Sequence, residues 1–124
     1  MPTTNPTISD AEWRVMDVIW DHGPVAAQEV VDLLAETTDW KPKTIKTMLG
    51  RLVRKEVLTY RAEGNRYIYR ARVRRETCVR AESSSFLERV FGGDTLSAIV
   101  HLAQQSDLDA DQIARLRRML EDRS

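Results

Sequence analysis

Lys43, Thr44, Lys46, Thr47 and Arg51 are side chains that hydrogen-bond phosphate oxygens and the edges of bases. Their spacing gathers them on one side of a helix, while Ile45, Met48, Leu49, Leu52 and Val53 form the opposite, apolar stripe. Lys41 precedes this set, and Arg61 and Arg66 follow it. The chemistry this suits is non-covalent recognition of a polyanion. Charge is concentrated in the same place. Residues 41–75 hold twelve basic and two acidic side chains, Glu56 and Glu63, a net of +10. Residues 1–40 hold one basic and eight acidic (net −7), and residues 76–124 hold six and nine (net −3). The whole chain, with 19 of each sign, is neutral and hides this asymmetry. A strongly basic segment in a neutral chain points to nucleic acid as the first candidate partner. A basic helix face alone is ordinarily a solvated face, so the reading depends on the elements that carry it.

Those elements are legible. Ser9 stands three residues before Glu12, the spacing of a capping box, and Trp13, Val15, Met16, Ile19 and Trp20 then repeat at helical period. Gly23-Pro24 ends this helix. A second runs from about Ala26 to Glu36, with Val30, Val31 and Leu34 inward, and residues 37–41 form a polar turn. Pro42 suits the first position of a third helix reaching Lys55, in which Gly50 costs about 1 kcal/mol relative to Ala. The period then falls to two. Residues 57–61 and 66–70 are strand-like runs around Glu63-Gly64-Asn65, a hairpin signal. Helices follow over 74–91, after the Asp94 cap, and from Asp107-Leu108-Asp109. Residues 1–7 read as a loose arm.

At 124 residues the chain is one domain, or a small domain with an appendage. It has no apolar run near the roughly 20 residues of a membrane helix, and its start does not read as a signal peptide. A single cysteine, Cys78, excludes a disulfide framework and a multi-thiolate zinc site, and points to a reducing cytoplasm. Cys78 itself admits two readings: a thiol activated by Arg74, Arg75 and Arg80, or an inert, partly buried one. His22 suits a helix C-terminus, and His101 is a lone histidine in an amphipathic helix. Tyr60, Tyr67 and Tyr69 suit cross-strand packing. Ser83-Ser84-Ser85 has no neighbouring histidine, no phosphate-binding glycine loop is present, and no carboxylates pair. The expectation is no enzyme, no metal and no cofactor.

The order helix–helix–helix–strand–turn–strand describes a mainly α fold with a small β-hairpin: a winged helix-turn-helix over 1–73, followed by a helical dimerisation region over 74–124. The third helix would enter the major groove with Lys43, Thr44, Lys46, Thr47 and Arg51 outward, and the hairpin near Arg61 and Arg66 would reach the adjacent backbone. Phe86, Leu87, Val90, Leu96, Ile99, Leu102, Leu116 and Leu120 supply a homodimer interface, and two copies would read a two-fold operator. Two other readings stay open: a winged helix used as a protein-docking module without DNA, and a tail that folds back on its own domain.

Ala11-Glu12-Trp13 with Val15-Met16 and Ile19-Trp20, Lys43-Thr44-Ile45-Lys46-Thr47-Met48-Leu49 with Arg51-Leu52 and Lys55-Glu56, then Phe86-Leu87 and Phe91-Gly92-Gly93-Asp94 resemble the penicillinase repressor family. That family includes repressors of β-lactamase and methicillin-resistance genes and a copper-responsive branch. The resemblance implies a homodimeric transcriptional repressor with Lys43, Thr44, Lys46, Thr47 and Arg51 on the operator-reading helix. It also implies derepression through the dimerisation region, by a cut downstream of a membrane-bound sensor protease. The corresponding bond is His101–Leu102, where the antibiotic branch has an Asn-Phe pair. The cysteine-rich metal hook of the copper branch is absent, and Gly50 replaces a polar residue common in the reading helix.

Overall fold

The structure, a computed structural model, describes residues 7–123, so the arm expected over 1–7 lies, except for Thr7, outside the described residues. Nine elements follow in order: α1 Asp10–His22, β1 Val25–Ala26, α2 Ala27–Ala35, α3 Pro42–Arg54, β2 Leu58–Glu63, β3 Arg66–Ala71, α4 Arg75–Phe91, α5 Thr95–Gln105 and α6 Ala110–Glu121. The chain divides into two compact units, one ending at Ser83 and the other beginning at Ser84. The fold is mainly helical with a small antiparallel sheet, a winged helix-turn-helix followed by helices.

In the first unit the apolar stripes of α1, α2 and α3 meet. Val15, Met16, Ile19, Val30, Leu34, Ile45, Leu49 and Leu52 form its core, closed by Val57 and Leu58 at the start of the wing. Burying such side chains is worth roughly 1.5–3 kcal/mol each, which makes this face of α3 the one it must turn inward. Ser9 caps α1: its hydroxyl accepts from the Glu12 N–H at 3.1 Å, and its own N–H donates to the Glu12 carboxylate at 2.9 Å. The end of α3 is a Schellman turn, in which the Val57 N–H donates to Leu52 O at 3.0 Å and the Glu56 N–H to Val53 O at 3.0 Å. Glu56 takes the left-handed conformation there, at φ 64°. This turn launches β2 directly from the third helix and so ties the wing to α3.

The hairpin register pairs Glu63 with Arg66 across a two-residue loop, Gly64-Asn65. Gly64 has φ +65°, the positive first position that a two-residue hairpin loop needs. The sheet has three strands, in order β1-β3-β2. The added strand, β1, pairs Val25 with Tyr69 and Ala26 with Ile68. Two residues are too few to show an alternating pattern, so the sequence reads this segment only as the entry to α2. The expected polar turn before α3 also contains a core contributor: Trp40 is half-buried and packs on the core cluster.

The first half of α4 belongs to this unit. Cys78 sits in the core at 2 % exposure, and Ala81 is buried with it. Arg75 bonds Asp17 of α1 at 3.2 Å, and its guanidinium carbon lies 6.0 Å from the Trp13 ring centre. Trp20 Nε1 donates to Val73 O at 3.0 Å, fixing the exit of β3 against α1. In the second unit, residues 84–123, Ala98 is the one buried side chain among the described residues.

Candidate nucleic-acid interface

Helix α3 turns its two faces to different media. Ile45, Leu49 and Leu52 are fully buried and Met48 nearly so, while Lys43, Thr44, Lys46, Thr47 and Arg51 are all exposed. Lys41 is exposed as the N-cap residue and supplies no side-chain cap, so its side chain leaves the first-turn N–H groups of α3 without an acceptor. Such an end is electropositive and favours an anion. Among the described residues, Lys41, Lys43, Lys46, Arg51 and Arg66 form no ion pair. Thr47 donates its hydroxyl proton to Lys43 O at 2.9 Å. Its oxygen remains an acceptor and its methyl remains exposed, which suits a base edge.

The hairpin register sorts the wing residues by face. Tyr60, Tyr67 and Tyr69 share one face, with ring centres 4.7 Å apart for Tyr60 and Tyr67 and 5.7 Å for Tyr60 and Tyr69. Burial, with the neighbouring phenols, pushes the Tyr69 hydroxyl up from its ordinary range. Arg61 and Arg66 share the other face with Arg70, an arginine absent from the sequence-based set. The alternation Arg66, Ile68, Arg70 carries that signal. Arg61 is bound by Glu63 at 2.7 Å and 3.0 Å, both side chains exposed, a pair worth at most about 1 kcal/mol that a phosphate can displace.

Three cations of the basic segment have structural partners instead. Lys55 bridges the nearly buried Glu12 at 2.6 Å and Thr7 O at 2.9 Å. Arg72 pairs loosely with Glu56 at 3.4 Å, and Arg75 with Asp17. Burial pushes the Glu12 carboxyl up, but the Lys55 and Ser9 hydrogen bonds and the Lys55 charge outweigh it, and the group lies below its ordinary value. Arg14 approaches the Trp40 ring centre to 5.5 Å and donates to Thr37 Oγ1 at 3.1 Å, bracing the turn that leads into α3.

The remaining candidates resolve into structural roles. Cys78 is buried, and that burial raises its thiol above the ordinary value, opposite to an activated thiol. His22 Nδ1 lies 3.0 Å from Val18 O at the end of α1. Among the described residues no group of three metal-ligating side chains occurs, and no helix is long and apolar enough to cross a membrane. His101 and Leu102 lie together within α5, both exposed, with the His101 ring 6.0 Å from that of Phe91.

The chain matches the penicillinase repressor family over residues 8–122. It is 37 % identical over 117 residues to the penicillinase repressor of Bacillus licheniformis, covering 94 % of this chain and 91 % of that one. It is 30 % identical over 113 residues to the methicillin resistance regulatory protein MecI of Mammaliicoccus sciuri, covering 91 % and 92 %. It is similar to the solution structure of the monomeric Bacillus licheniformis BlaI in complex with the blaP half-operator, with a TM-score of 0.53 and 42 % identity. That alignment covers 60 % of this chain and 90 % of the other.

Proposed function

The chain belongs to the penicillinase repressor family, and from that premise we propose that it is a DNA-binding transcriptional repressor, not an enzyme, which lays α3 in the major groove of an operator. The observation that carries this is the two-faced helix: one side locked into the core, the other presenting Lys43, Lys46 and Arg51 without ion pairs among the described residues. Lys41, Lys43, Lys46 and Arg66 supply phosphate contacts, with Arg61 joining once released from Glu63. Thr44, Thr47 and Arg51 face base edges, where Thr suits a thymine methyl and Arg a guanine.

A second copy of this chain is the partner. Among its described residues the second unit buries Ala98 alone, yet Leu96 is 71 % exposed, Val90 56 %, Leu102 48 % and Leu120 42 %. Apolar helices so poorly covered call for a protein surface, and a two-fold pair would set two α3 helices on two half-sites. Relief of repression acts through the same region. The His101–Leu102 bond is helical and must unwind to enter a protease. Helix α5, with one buried side chain, opens at little cost when uncovered, so a sensor-protease pathway has a substrate there.

Gel shift on the DNA upstream of the chain's own gene tests the operator reading. The logarithm of the affinity should fall linearly with that of salt, because phosphate contacts release counterions. Arg51→Ala should weaken specific binding by about 1–3 kcal/mol and leave non-specific binding nearly unchanged. Binding that ignores salt, or none at all, overturns the reading.

A further inference from the structure

In a reading helix the N-terminal residues meet base edges, and the C-terminal end approaches the backbone. Arg54, in the last turn of α3, belongs by position to the second group, but its head does not lie at that level. A Cβ built on Gly50 would sit 3.7 Å from Arg54 Nη1, so the guanidinium lies back over the bare backbone of Gly50, one turn closer to the base-facing end. Helical side chains lean toward the N-terminus, and the missing side chain at residue 50 leaves the space. Helical period puts Thr47, Gly50, Arg51 and Arg54 on one side. Arg54 is exposed and forms no ion pair among the described residues.

We propose that Arg54, folded over Gly50, is a specificity-determining contact of the reading helix and takes a guanine in the major groove. This rests on the operator-binding reading above. Arginine offers only donors, in a rigid fork, and guanine alone presents two adjacent acceptors, N7 and O6, on that edge. Gly50 is the enabling residue. A methyl there makes ordinary contact with Arg54, whereas a long side chain takes its place and swings the guanidinium out.

The test is selection of bound sites from randomised duplexes by the full-length chain and by Arg54→Ala, Arg54→Lys, Gly50→Ala and Gly50→Gln, with salt titrations of each. Wild type and Gly50→Ala should both select, in each half-site, a guanine in addition to the one read by Arg51. Arg54→Ala, Arg54→Lys and Gly50→Gln should lose the preference for that additional guanine by roughly 5- to 100-fold and keep the preferences at neighbouring positions. The lysine variant keeps the charge without the fork, and Gly50→Gln keeps Arg54 itself. Retention of the additional guanine preference in Arg54→Lys, or uniform weakening of every sequence by Arg54→Ala with a salt slope reduced by about 1, would assign Arg54 to a phosphate and overturn the proposal. If the wild type selects no duplex, the operator reading fails first and takes the proposal with it.

Discussion

Glu12 and Lys55 show how one residue pair fastens the end of α3 to the start of α1. The carboxylate is 2 % exposed, closes the cap of α1 and receives the Lys55 ammonium from the far end of α3. Removing one partner of such a pair leaves a buried group poorly satisfied, so Glu12→Gln should cost about 1–3 kcal/mol at neutral pH. The folded carboxyl titrates below its ordinary 4.5. Its stabilisation is therefore present above the unfolded value and lost as pH falls through the lower folded one. Urea unfolding of wild type and variant at pH 7 and pH 3 checks this: the difference should be full at pH 7 and shrink at pH 3. An equal gap at both would show that the charge plays no part. The same residues limit what charge counting reveals. Lys55, Arg72 and Arg75 read as part of the basic segment, and only the fold shows that carboxylates hold them.

At the scale of elements, α3 combines a strong amphipathic pattern with one weak position. Gly50 is helical, and a Cβ there meets only Arg54, at ordinary contact distance. Gly50→Ala should therefore raise stability by up to about 1 kcal/mol, read as a higher thermal midpoint with α3 contacts unchanged. No gain, or a loss, would show that the helix needs the glycine backbone. The helices and the hairpin were visible in the sequence because their apolar residues recur at helical or alternating period and because Pro42 and Gly64 mark their bounds. Strand β1 and the burial of Trp40 were not visible. A two-residue strand has no period, and a single aromatic in a polar stretch reveals its packing only when α1 brings Arg14 alongside it.

At the scale of the molecule, the proposed dimer rests on the second unit, and with it the number of reading heads that would meet the DNA. Charges placed at exposed positions cost a monomer little, usually within about 0.5 kcal/mol. The double variant Leu96→Glu/Leu120→Glu should keep its helical circular dichroism but sediment as a monomer, and should lose affinity for a two-half-site operator much more than for a single half-site. A wild type that sediments as a monomer at micromolar concentration would sink the dimer reading.

The amino-acid order by itself determined the helix and hairpin pattern, the inward and outward faces of α3 and the concentration of cations in residues 41–75, because period and residue type are local properties. It also carried the family likeness. Tertiary structure alone decided which cations are free. Lys55 and Arg75 meet carboxylates 43 and 58 residues away along the chain, and Arg54 finds its place only through the helix geometry above Gly50. Pairing and burial depend on distances that folding creates, and residue order does not state them.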